Sequence, residues 1–502
     1  MPVDPTPPLT KTDAELRFDE VRRKVGLVAG PLLFLLVLAW PFTSLTPEGH
    51  RLAAIMALVI VFWITEALPL AVTALLGPTL VVLLQVAPAG LTFRPFASPT
   101  IFLFIGSFIL AQALFVHRVN ERIAYGVLSL RIIGAHPTRI LIAYGLLAAS
   151  LSAWMSNTAT AAMLVPIGLT LLRFMESEAT IPKRYGTALM LMTTYCCSRG
   201  GMATPVGTPP NLIAIGMLSE QLDVRITFFQ WMLFSTPIVL VLLAIVFVYL
   251  SWVGRTGVRE IPGVEQIIAE RKRALGPWRR GEINAVIAFS VTIVLWIGPG
   301  LLALVLGTDH PLVASVTASV PSAVAALVGV VLLFLLPNSK TERTTITWRQ
   351  AAQIDWGTIL LFGGGLALGA LAGATGLAQE VAVGITGLVD VSEIVTLTFA
   401  AAIFTVILSE AMSNTAATNI AIPIVISMAQ AVGINPVIPA VAAALAASVA
   451  AVLPVSTPPN AIVYASGRVT ITEMMKYGLL MDVTAITLVP ALVLLIAPYF
   501  IG

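Results

Sequence analysis

LSAWMSNTATAAMLVPI fills residues 151–167, and LSEAMSNTAATNIAIPI fills residues 408–424. The two match at 9 of 17 positions with a constant offset of 257 residues. Each copy centres on Met-Ser-Asn-Thr, at Met155 to Thr158 and again at Met412 to Thr415. Further along comes a second echo: PVGTPPN at 205–211 against PVSTPPN at 454–460. A polar tetrapeptide duplicated inside apolar sequence, each copy followed by a Thr-Pro-Pro break, implies two halves that build one site.

Composition puts that site in a membrane. The chain has 502 residues, 58% hydrophobic and 11% charged, with mean hydropathy +0.96. A soluble chain carries about 25% charged residues, so solubility is excluded. Apolar runs near the roughly 20 residues that span a bilayer as helix recur throughout, whereas barrel strands would be about 9–11 alternating residues. The fold class expected is therefore all-α, with about eleven transmembrane helices. A net charge of +3 does not indicate a nucleic-acid partner, because the basic residues sit between spans. Cys196 and Cys197 are adjacent and read as core filler rather than a disulfide. No cleavable-signal pattern is present.

Basic residues stay on the cytoplasmic side of short loops, and this sets the topology. Lys11, Arg17, Arg22, Arg23 and Lys24 place the polar segment 1–24, and so the N-terminus, inside. Spans are expected at 25–42, 52–67, 69–87 and 98–117, followed by an interfacial stretch holding Arg118, Arg122, Arg131 and Arg139. The apolar block 140–172 has basic residues at both ends, so it must enter and return as a re-entrant hairpin turning at the first Ser-Asn-Thr. Each arm, at about 16 residues or ~24 Å, reaches past mid-bilayer. A broken helix at 186–220 follows, interrupted from Arg199 to Pro210, and then a span at 228–253. The basic linker 254–282 separates the first repeat, 25–253, from the second, 283–502. Spans at 283–304, 321–337 and 354–375 lead to an external segment, 376–396, with Glu380, Asp390 and Glu393. The second hairpin, 397–430, the second broken helix, 436–468, and a last span at 477–500 leave the C-terminus outside. This arrangement puts 24 basic residues inside and only Arg51, Arg94 and Arg225 outside, with Arg199 at membrane depth. One hairpin opening inward and its copy opening outward is the mark of an inverted repeat.

Irregular backbone persists at membrane depth only where it lines a cavity or is buried in protein. Helix ends there offer N–H groups to an anion and C=O groups to sodium or another hard cation. Ser and Thr hydroxyls and the Asn amide can serve either. Ser156, Asn157, Thr158, Ser413, Asn414 and Thr415 are therefore candidate ligands, with Thr208, Pro209, Thr457 and Pro458 at the opposing breaks. Glu66 is read as capping a turn, and Asp482 as interfacial. His50, His117, His136 and His310 form no metal-ligand cluster. No nucleophile–base pair or phosphate loop points to an enzyme.

The doubled Ser-Asn-Thr, GTPPN, STPPNAIVYASG and the early WITEALPLAVTALL resemble the divalent anion/sodium symporter family, over residues from about 25 to the end. The resemblance implies a secondary transporter of succinate, malate, fumarate, citrate or sulfate, sodium-coupled or exchanging. It also implies an inner-membrane homodimer with a scaffold and an elevator-type transport domain. It implies two cation sites, one of Ser152, Ser156, Asn157 and Gly207, the other of Ser409, Met412 (by its carbonyl), Asn414 and Ser456. No cofactor is implied beyond sodium as coupling ion. The departure is Arg199, where the family carries an uncharged residue. Three roles stay open for it: binding the substrate dianion, standing in for a sodium charge in an exchanger, or pairing with Glu410. A metalloid-anion export channel is the alternative from another class.

Overall fold

The computed structural model describes residues 13–42, 44–339, 341–386, 393–454 and 456–501. Lys11 and Asp390, used above to orient the chain, lie outside them. Regular structure among the described residues is helical throughout. Eight helices are long and apolar enough to cross a membrane, or nine if the pair Pro311–Ser319 and Ser322–Leu335, bent by 58°, is one span. This is fewer than the eleven expected, because some apolar helices are short. Leu70–Leu83 has 14 residues and Val437–Ala447 has 11. Two of the eight, Asn157–Glu178 and Ile394–Ala411, are arms of the expected hairpins.

The first helix, Asp13–Ala39, starts well before the expected span and absorbs half of the polar N-terminal segment. Gly26 and Gly30 let it lie against Thr65 and Phe62 of Pro47–Thr65. Arg22 pairs with Glu66 at 3.0 Å. Glu66 closes the second helix in a left-handed conformation at φ 49°, so its capping role is realised.

Packing repeats between the two halves. Leu70–Leu83 lies along Trp356–Ala374, and Ser322–Leu335 lies along Pro99–Val116. Pro137–Ser152 lies along Lys183–Met202, just as Ile394–Ala411 lies along Val437–Ala447. The helix beginning at each Thr-Pro-Pro packs on the helix beginning at the other half's Ser-Asn-Thr. Thus Pro458–Ala465 rests on Asn157–Glu178, and Pro209–Leu222 rests on Asn414–Ala431. Helix-first patterning makes each element; this exchange of partners makes one body of them.

The first apolar block does turn, between Ser152 and Asn157. Its arms lie side by side, since the Tyr144 hydroxyl donates to the Leu164 carbonyl. The hairpin spans 137–178 rather than 140–172, because the second arm extends through a polar last turn where Glu176 pairs with Arg468. The second hairpin, 394–431, is close to the expected one.

Both breaks differ from expectation. Lys183–Met202 runs helical straight through Arg199, Gly200 and Gly201, and only 203–208 is irregular. The two glycines serve close approach instead of breaking the helix. A Cβ on Gly200 would strike the Ala149 backbone, and one on Gly201 would meet Asn157 Oδ1 at 2.5 Å. The second break begins earlier than Pro454, at Ser448, because side-chain carboxylates draw its amides out of the helix. Cys196 and Cys197 are buried free thiols.

Candidate functional site

Four helices start at the duplicated motifs, and the paired starts have nearly the same backbone. Ser156 caps Asn157–Glu178 at φ −62°, ψ 141°, and Ser413 caps Asn414–Ala431 at φ −63°, ψ 144°. Each serine Oγ accepts from the amide three residues on, at 3.2 Å in both. That bond uses a lone pair and leaves the hydroxyl proton free to donate. Thr208 and Thr457 precede the other two helices at φ −145° and −143°, each followed by proline at the first helical position, Pro209 and Pro458. Helix N-termini carry partial positive charge, so all four starts suit a dianion.

The Asn side chains repeat as well. Ser152 Oγ lies 2.5 Å from Asn157 Oδ1, and Ser409 Oγ lies 2.7 Å from Asn414 Oδ1. With Oδ1 so engaged, each Asn Nδ2 remains a donor without a partner among the described residues. Thr158 is exposed, whereas Thr415 is half-buried, with its carbonyl accepting from Asn419 Nδ2 at 3.0 Å.

Two oxygen clusters sit behind these tips. In the first half, Asn157 Oδ1 and the Gly207 carbonyl lie 2.5 and 3.0 Å from the point a Gly201 Cβ would occupy. A Cβ on Gly207 would lie 2.9 Å from the Ala153 carbonyl, and Thr204 Oγ1 donates to that same carbonyl. Ser152, Asn157 and Gly207 are thus brought together; Ser156 is held at its capping bond. In the second half, Ser409 Oγ is also 2.8 Å from the Ala447 carbonyl. Three oxygens therefore share one hydroxyl proton, a surplus of acceptors that fits a hard cation. Met412 is extended at φ −148°, ψ 179°, between the two helices. Ser456 instead staples its own break, bonding the Leu453 carbonyl at 2.7 Å and Asn460 Nδ2 at 3.0 Å. Ala447 escaped the sequence reading, since an alanine contributing its carbonyl leaves no side-chain signal.

Asn211 and Asn460 hold the breaks. Asn211 Nδ2 reaches the carbonyls of Gly201 and Thr204 at 3.0 and 2.7 Å. Asn460 Nδ2 reaches the Leu453 carbonyl at 3.1 Å, while its Oδ1 accepts from Thr194 of the other half. Both residues end the TPPN echo, and the sequence reading assigns neither a role.

Arg199 is 1% exposed. Its guanidinium folds back over the Tyr195 ring, 5.3 Å from the centroid, and Nη1 lies 3.4 Å from the Tyr195 carbonyl. Nε and Nη2 have no partner among the described residues. The Arg199–Glu410 ion pair is not formed, because the Glu410 carboxylate is taken by the amides of Ala451, Val452 and Leu453. Asp482 is not interfacial in role either: it accepts from the Ala451 amide at 3.1 Å. No metal-binding group of His, Cys, Asp or Glu occurs among the described residues.

Comparison with known proteins agrees in kind. The sodium:sulfate symporter transmembrane region model matches residues 22–500. A sodium-dependent dicarboxylate transporter of Staphylococcus aureus is 33% identical over 490 residues, covering 95% of this chain and 92% of the relative. Its counterpart in Staphylococcus saprophyticus is 32% identical over 498 residues, covering 96% and 93%. A solved structure, the YdaH transporter of Alcanivorax borkumensis, aligns over 97% of this chain and 98% of its own with TM-score 0.55. At 14% identity that likeness concerns the fold alone.

Proposed function

We propose, given that this chain belongs to the sodium:sulfate symporter family, that it carries small dicarboxylate dianions across the inner membrane, driven by sodium. The chain is a multi-pass membrane transporter, not an enzyme. The dianion is held between the two Ser-Asn-Thr tips by the hydroxyls of Ser156 and Ser413 and the amides of Asn157 and Asn414. Thr158, Thr415, Thr208 and Thr457 complete its surroundings. Sodium is held by Ser152, Asn157 and Gly207 in one half and by Ser409, Asn414 and the Ala447 carbonyl in the other. The observation that best supports this reading is the twofold recurrence of a serine-capped helix start beside an oxygen cluster.

Arg199 bears on the choice between sodium symport and sodium-free exchange. A guanidinium standing in for sodium would point into an oxygen cluster; this one lies back along its own helix over Tyr195. The geometry favours sodium coupling. Dicarboxylates are favoured over sulfate by the similar curated transporters.

Movement is of the elevator kind. Trp356–Ala374 packs on Asn414–Ala431 and on Pro209–Leu222, with Gly365 against Asn419. Its counterpart Pro99–Val116 has no comparable packing on Asn157–Glu178 among the described residues. Such unequal contact between matching elements suits a transport domain resting at one end of its travel, closed on the second hairpin's side. By the charge tally that side is external. The carrier works as a homodimer with its N-terminus cytoplasmic. Purified protein in liposomes is expected to accumulate succinate under an inward sodium gradient and to stop when potassium replaces sodium. Equal uptake in both salts would refute sodium coupling.

A further inference from the structure

The two breaks are satisfied differently. In the first, side-chain donors take up backbone carbonyls: Trp231 Nε1 bonds Met202 at 3.1 Å, Ser235 Oγ bonds Ala203 at 3.0 Å, and Asn211 serves Gly201 and Thr204. In the second, Ser456 and Asn460 likewise serve the Leu453 carbonyl, but side-chain acceptors also take up backbone amides. Glu410 Oε1 accepts from Ala451 at 2.7 Å and Val452 at 3.1 Å, and Oε2 accepts from Leu453 at 3.2 Å. Asp482 Oδ1 shares the Ala451 amide.

The repeat offsets connect the two arrangements. Glu410 aligns with Ala153 at the hairpin offset of 257, and Leu453 aligns with Thr204 at the break offset of 249. Thr204 donates its hydroxyl to the Ala153 carbonyl, and Leu453 donates its amide to the Glu410 carboxylate. The same two positions are therefore tied in each half by different chemistry. The tie belongs to the architecture rather than to one chance contact.

Glu410 also stands next to Ser409. Ser409 grips the Ala447 carbonyl, the last of its helix, while Glu410 grips the amides four to six residues on. Consecutive hairpin residues thus clamp the start and the middle of one unwound segment. At membrane depth the Val452 and Leu453 amides have no other acceptor among the described residues, and a segment freed of Glu410 would rewind or shift to satisfy them. Either motion would carry the Ala447 carbonyl away from Ser409 and Asn414.

We propose that Glu410, assisted by Asp482, is a positioning residue that holds the second oxygen cluster in shape for sodium. The role rests on the transport reading above. Nothing requires Glu410 to touch the ion or the dianion.

The test is sodium-dependent succinate uptake by reconstituted wild type, E410Q and D482N, titrating sodium at saturating succinate and succinate at saturating sodium. E410Q is expected to raise the sodium concentration for half-maximal uptake about tenfold, the scale on which small displacements of a ligand act. Its succinate KM at saturating sodium should stay within about twofold of wild type, since the dianion's ligands are elsewhere. D482N keeps an acceptor for the Ala451 amide but loses the carboxylate charge that strengthens the bond, and should shift sodium alone, by a smaller factor; it decides the matter if E410Q does not fold. Unchanged sodium dependence in the variants, or equal weakening of sodium and succinate, overturns the positioning role. A wild type indifferent to sodium overturns the transport reading itself and this proposal with it.

Discussion

Replacing Gly201 with alanine is expected to lower sodium-driven uptake by about a hundredfold, the cost of displacing a ligand by an ångström or so, while the protein still reaches the membrane. The added methyl would sit 2.5 Å from Asn157 Oδ1 and 3.0 Å from the Gly207 carbonyl, inside the first oxygen cluster. Neither neighbour is a flexible side-chain end free to swing away. Asn157 is bound by Ser152, and Gly207 lies against the Ala153 carbonyl. Alanine suits helical backbone, so the helix Lys183–Met202 itself should persist. Uptake assays on equal amounts of reconstituted variant would show the loss. Near-normal uptake at ordinary sodium would mean the cluster is not an ion site. The second half has Ala450 at the matching position, so this sensitivity belongs to the first half alone.

Asn460→Ala is expected to be the most destabilising single change among the motif residues, by about 2–4 kcal/mol. Its side chain bonds the Leu453 carbonyl, Ser456 Oγ and the Thr194 hydroxyl of the other half. Removal leaves buried polar groups on both halves without partners, and such groups cost more than the bonds they had made. Thermal unfolding in detergent should report a clear drop in Tm. Asn211→Ala should cost less across the halves, because the Asn211 amide serves only its own break. A Tm for Asn460→Ala equal to wild type would show that the breaks are not held by these amides.

The duplicated tetrapeptide and its Thr-Pro-Pro partner were legible because they combine polarity, helix-breaking chemistry and repetition. Serine before a helical run is a capping signal, and both serines cap. Flanking charge of one sign located the turn in the first hairpin. The reading failed where a residue's use depends on what packs against it. Gly200-Gly201 looks like a breaker in sequence, yet Ala149 and Asn157 press against it and the helix continues. Glu410 looks like a partner for the lone intramembrane arginine, yet nearby unwound amides outcompete the guanidinium. The second break is longer than its prolines suggest for the same reason. Ala447 joins a cluster through its carbonyl, which every residue possesses and no sequence pattern can single out.

One dianion shared by two halves of the chain is the centre of the proposed site. Succinate binding to the purified protein in sodium, measured by calorimetry for wild type, Asn157→Ala and Asn414→Ala, tests it most directly. Saturable binding at one dianion per chain in wild type, weakened at least about tenfold by either substitution, a loss of about 1.4 kcal/mol, is the predicted result. Full-strength binding in either variant would assign the ligand to a single half and contradict the shared site.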